Sequence, residues 1–296
     1  MIKMENDFYM LEIDRDHGSI KRIYDKNAKI EMITEPRLAE SFRLLLPLGQ
    51  RQQANYILGK DQRLTTIEEK PNGLTLGWAG PLRNHAGDPF DLTVVMKIEF
   101  EGDAVKIDMN VRNRTEHKLM EAWYPILGGL TGLGERKQTL VHIPWQTEEN
   151  GANPDIFWNT RNPWNLGTDV PEIIFECPGG MPSTWMDIYN KNLNRGVYFG
   201  LEDNTSRKKL FRVEMQPGIG TMRLDDTWPL PNEIDPRFPV GLIFCWVYYL
   251  PEAETKAGES FHGATAVLRF HEGDWKSALT IFKAASTPAP AAGVVK

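Results

Sequence analysis

The stretch that most limits what this chain can become is FDLTVVMKIEFEGDAVKIDMNVRNRT, residues 90–115. Val94, Met96, Ile98 and Phe100 recur at every second position, and after a turn at Gly102 so do Val105, Ile107, Met109 and Val111. A period of two puts each set on one side of a strand, so the segment reads as a long hairpin with one face against a core. Such a face needs a second apolar layer to cover it.

The same alternation, broken by Gly, Asn, Asp and Pro, recurs along most of the chain. FYMLEID turns through RDHG into SIKRIYD, and RLTTIEEK turns at PNG into LTLGWAG. FRLLLPL, STWMDIYN, RGVYFGLED, LFRVEMQ, GLIFCWVYYL and HGATAVLRFH add further strands, at least a dozen in all. No run before Asp274 holds a helical period for more than about a turn. The expected fold is all-β: a large antiparallel sandwich of two broad sheets, closed by a short C-terminal helix. We expect the sandwich over 1–272, a connector helix over 273–285 and a flexible tail over 286–296, rich in Pro and Ala.

Two segments break the pattern. Residues 143–171, IPWQTEENGANPDIFWNTRNPWNLGTDVP, have no period and carry three tryptophans, and Asp225–Pro239 is similarly built. Loops this long are commonly functional. An indole stacks on the apolar face of a sugar ring while amides, carboxylates and guanidinium groups bind its hydroxyls. Trp145, Trp158, Asn159, Arg161, Trp164 and Asn165 are therefore the candidate sugar-binding residues, and the expected partner is an oligosaccharide or polysaccharide. Each indole could equally pin its loop to the sandwich, and Trp228 reads as such a plug.

Other chemistries find less support. The net charge of −6 with dispersed Lys and Arg argues against a nucleic-acid partner. No apolar run approaches the roughly 20 residues of a spanning helix, and the first residues lack a secretory h-region, so a cytoplasmic protein is expected. Six scattered His show no metal-ligand spacing, and no motif calls for a metal or cofactor. GxSxG is absent, and GGLTGLGE at 128–135 reads as a turn-rich connection, since it lacks the lysine of a phosphate loop. Cys177 and Cys245 read as buried free thiols. Asp187, Glu202, Asp203 and Glu214 lie on or beside apolar strands where burial could shift a pKa, but spacing cannot pair carboxylates, and the catalytic residues stay unassigned.

The opening IKMENDFYMLEIDRDHGSIKRIYDKN resembles the start of galactose-mutarotase-like supersandwich domains, including those of some α-mannosidases. CPGGMPSTWMDIYNKNLNRGVYFGLEDN and HEGDWKSALTIFKA resemble the N-terminal sandwich of a group of large glycoside hydrolases. The resemblance implies a TIM-barrel catalytic domain beyond the helix, with Trp275, Leu279 and Phe282 packed back on the sandwich; the expectation is a truncated gene, a frameshifted clone or an isolated domain, with a naturally short protein ending in a tail as the alternative. Aldose epimerases of this fold use a His pair and a late Glu. In EAWYPILGGL this chain has Trp123 and Tyr124 where such a His would be sought, which speaks against epimerase chemistry. Three functions follow: a sandwich domain of a glycoside hydrolase that binds or shapes a sugar site; a self-contained glycosidase or polysaccharide lyase; or a structural oligomerisation module.

Overall fold

A computed structural model describes residues 1–46, 55–130, 132–134, 138–144, 172–203, 205–216, 239, 241–250 and 256–286. Strands Leu92–Glu101 and Ala104–Asn113 form the hairpin expected from the period of two, pairing Val94 with Val111, Met96 with Met109 and Ile98 with Ile107. These six side chains are all buried. The turn between the strands needs a positive φ at Gly102, which only glycine adopts without strain.

This hairpin is the middle of a nine-stranded antiparallel sheet. Its main path runs Thr139–His142, Trp185–Asn190, Arg195–Glu202, Thr265–Glu272, Ala104–Asn113, Leu92–Glu101, Gly73–Ala79, Thr66–Lys70, and Phe261–His262 also pairs with Ala104–Asn113. Facing it is a six-stranded sheet ordered Glu172–Cys177, Lys209–Gln216, Gly241–Tyr249, Glu121–Leu130, Arg43–Leu45, Tyr56–Leu58. The inner faces interlock: Phe42, beside the small sheet, meets Trp78 of the large one edge-on at 5.1 Å. Burying such aromatic and β-branched faces is the main drive to this architecture.

Two details depart from the two-sheet expectation. The opening strands Ile2–Glu5, Tyr9–Ile13, Ile20–Asp25 and Ile30–Glu31 make a sheet of their own, though Leu11, Ile13 and Ile23 enter the common core. Gly128 and Gly129 belong to strand Glu121–Leu130 and not to a connection. There a Cβ would run into the backbone of Leu38 or Glu35, so the absence of a side chain lets that segment dock, with Thr34 and Glu35 both donating N–H to the Gly129 carbonyl.

The C-terminal helix, Trp275–Ser286, lies on the outer face of the large sheet. Asp274 starts it, accepting from the Lys276 N–H at 3.0 Å through Oδ1 and from the Ser277 N–H at 2.9 Å through its carbonyl. Ala278, fully buried, and the half-buried Trp275, Leu279 and Phe282 cover Trp185, Tyr198 and Val267. Trp275 also stacks on His142 at 4.4 Å.

Candidate functional site

On the six-stranded sheet the strand period sends Leu44, Ala122, Tyr124, Phe211, Val213, Phe244 and Trp246 into the core. Their neighbours point the other way, and an outward face of an antiparallel sheet is ordinarily solvated and polar. Here it is polar and yet largely closed. Trp123, Ile126, Ile243, Cys245 and Val247 form a second apolar cluster on that face, with a network of charged side chains packed against Trp123.

Arg43 is the hub. It donates Nε and Nη2 to Glu40 at 2.8 and 3.1 Å, and Nη1 and Nη2 to Glu214 at 2.7 and 3.0 Å. Lys60 donates to Glu40 at 3.0 Å, and Arg212 Nε lies 3.3 Å from Glu214. Both guanidinium groups sit over the Trp123 ring, Arg43 at 4.8 Å and Arg212 at 4.4 Å from its centre. The indole N–H and the Tyr56 hydroxyl both donate to Glu121, at 2.8 and 2.7 Å, and Tyr56 meets Trp123 edge-on.

Burial orders the roles in this cluster. The side chains of Glu214 and Glu40 are 4% and 5% exposed, whereas Arg212 is 21% and Lys60 46% exposed, so the acids form the floor and two cations the rim. Burial pushes the Glu40 carboxyl up, but Arg43 and Lys60 outweigh it and hold the group below its usual range. Burial likewise opposes the charge on Arg43, and Glu214 with Glu40 reverses the effect and raises its pKa. Burial and the Glu121 carboxylate push the Tyr56 phenol up, so it stays a donor. The arrangement holds its charges against one another around a buried indole, Trp123, and presents Arg212 and Lys60 at the rim. It suits hydrogen-bonding of hydroxyls, whereas a general acid needs a carboxyl held above its usual range.

Glu214, noted in the sequence, is in this cluster, and the other three carboxylates are elsewhere. Asp187 is fully buried on the large sheet against His271. Glu202 is exposed beside Lys106, and Asp203 pairs with the buried Lys209 at 2.9 Å. Trp145, Trp158, Asn159, Arg161, Trp164, Asn165 and Trp228 lie outside the described residues. Cys177 and Cys245 are buried free thiols, as expected. Among the described residues no group of His, Cys, Asp or Glu could hold a metal ion, and no helix is long and apolar enough to cross a membrane. Sequence reasoning missed Glu40, Arg43, Tyr56, Glu121 and Arg212. The available signal was polar residues two apart, Glu121 with Trp123 and Arg212 with Glu214, on the off-core side of apolar strands.

A scan against protein-family profiles finds no match, and neither does a search of curated protein sequences. Solved structures do match. A galactose mutarotase related enzyme from Lactobacillus acidophilus superposes with a TM-score of 0.54 at 11% identity, covering 92% of this chain and 98% of that one. A galactose mutarotase-like protein from Lactobacillus casei gives 0.51 at 11%, covering 92% and 100%. The α-N-acetylgalactosaminidase NagBb from Bifidobacterium bifidum gives 0.56 at 12%, covering 96% of this chain and only 38% of its own. The fold is therefore the galactose-mutarotase-like supersandwich that the opening residues resemble.

Proposed function

We propose that this chain is a carbohydrate-active sandwich domain that binds, or helps shape, a site for an oligosaccharide or polysaccharide on the outer face of the six-stranded sheet. The observation that carries the proposal is the pair of guanidinium groups, Arg43 and Arg212, held over the Trp123 indole, with Arg43 bound to the Glu40 and Glu214 carboxylates. A fold shared with sugar-handling proteins supports it as an analogy of scaffold. Trp145, Trp158, Asn159, Arg161, Trp164 and Asn165 enter on their chemistry alone. A separate TIM-barrel domain as catalytic partner is part of the same proposal, in keeping with the 38% of NagBb that this chain covers.

The test is ligand-detected NMR with neutral and acidic oligosaccharides. Saturation transfer without new anomeric signals is expected, weakened about tenfold by Arg212→Ala, roughly 1.4 kcal/mol. Arg43 keeps its two bonds to Glu214 in that variant. Turnover abolished by removing a carboxylate would replace the proposal with a self-contained glycosidase. A concentration-dependent dimer indifferent to sugars would replace it with an oligomerisation module.

A further inference from the structure

A cleft of about 400 Å³ opens where three elements meet: the four-stranded sheet, one end of the large sheet and the C-terminal helix. It lies across the molecule's other sheet from Trp123, so it does not rest on the assignment made there. Its volume falls in the range of small-molecule sites.

The polar groups in this cleft are only partly used. Arg195 donates Nε to the buried Asp25 at 2.5 Å, and its side chain is 12% exposed. Among the described residues no hydrogen bond engages either Nη of Arg195. Arg269 donates Nε and Nη2 to Asp103, both to Oδ2, at 2.9 and 2.6 Å. Asp103 Oδ1 accepts no hydrogen bond among the described residues. The cleft thus presents a fixed pair of donors and a fixed acceptor, each anchored through its other atoms.

Charge selects among ligands. Arg195, Arg269 and His271 line the cleft with Asp103 and Glu272, while Asp25 stands behind Arg195 and Asp187 behind His271, so no excess of positive charge awaits an anion. A sugar hydroxyl both donates and accepts, and neighbouring hydroxyls can take from a guanidinium while giving to a carboxylate. Phe8, at 37% exposure, adds an apolar wall for a ring face, and Ser277 of the helix adds a hydroxyl opposite.

We infer that this cleft is a binding site for a neutral polyhydroxylated ligand the size of one sugar ring, held by the free Nη groups of Arg195 and by Asp103 Oδ1. The test is amide-resolved NMR of the full chain titrated with methyl galactoside, methyl glucoside and glucuronate. A neutral glycoside should shift the Asp103, Gly273 and Ser277 amides saturably. Thr280→Trp, an exposed helix position lining the cleft, should weaken this about tenfold, and Asp103→Ala should do the same without disturbing the Arg195–Asp25 pair. Arg212→Ala should leave it unchanged, which separates this site from the one above. Three results overturn the inference: no shift with either neutral glycoside, shifts with glucuronate alone, or shifts untouched by both cleft variants.

Discussion

His271 reaches across the strand Arg195–Glu202 to place Nε2 2.9 Å from Asp187 Oδ1, while its Nδ1 lies 3.0 Å from the carbonyl of Glu272. Asp187 is wholly buried, and the ring passes over Gly196, its register partner. Both nitrogens face acceptors, so with Asp187 ionised the ring must donate twice and be charged. Burial pulls the His271 pKa down, but the hydrogen bond and charge of Asp187 outweigh it and raise it. Burial raises the Asp187 pKa even against the pull of His271. His271 therefore holds its second proton more tightly than free imidazole does.

A pH dependence follows. A group whose pKa is raised on folding contributes stability below its unfolded value and loses it as pH rises through the folded one. Stability from His271 should be complete below pH 6.5, its ordinary value, and decline above it. Urea unfolding on either side of that pH should show the midpoint falling on the alkaline side. The double variant Asp187→Asn/His271→Gln should lose that slope, and a slope that survives it would assign the effect to other groups.

Gly196→Ala should destabilise the fold by about 1–3 kcal/mol, the range for overpacking. The new Cβ would lie 2.3 Å from Cε1 and 2.5 Å from Nε2 of His271, whose ring cannot yield because both nitrogens are tied. Gly180→Ala is the control, since open space surrounds that position, and it should stay within about 0.5 kcal/mol. Denaturation midpoints of the two variants check this directly.

Glu214→Ala removes an acidic partner that Arg43 and Arg212 share and leaves the buried Arg43 leaning on Glu40 alone. Breaking a buried pair from one side costs about 3–5 kcal/mol. Glu202→Ala removes an exposed partner of Lys106, and such pairs are worth about 1 kcal/mol or less. A Glu214 variant no less stable than the Glu202 variant would show that the network does not hold the face together.

Trp275→Ala should loosen the helix, because the indole stacks on His142 at 4.4 Å and joins the cluster over Trp185. Being half-buried, it should cost about 2 kcal/mol, below the 3–5 typical of core tryptophans. Proteolysis within 275–286 should quicken, while cleavage elsewhere should not.

The hairpin Leu92–Asn113 and the helix could be read from local pattern alone, since a period of two or near four states which residues share a face. The all-β class followed from counting such runs. The candidate site was legible only in fragments. Glu214 stood out as a carboxylate on an apolar strand, but its partner Arg43 is 171 residues away and came from a strand read only as apolar. Nothing local marks Gly196, because His271, whose ring lies across it, is 75 positions on.

The amino-acid order by itself determined which side chains leave each strand together and where the chain turns. Tertiary structure alone decided which strands became neighbours and which outer face was closed by the helix. It also decided which charges met over Trp123. The physical reason is that periodicity is set by backbone geometry within a few residues. Strand pairing and burial are instead set by the free energy of the whole core, to which residues far apart in sequence contribute together.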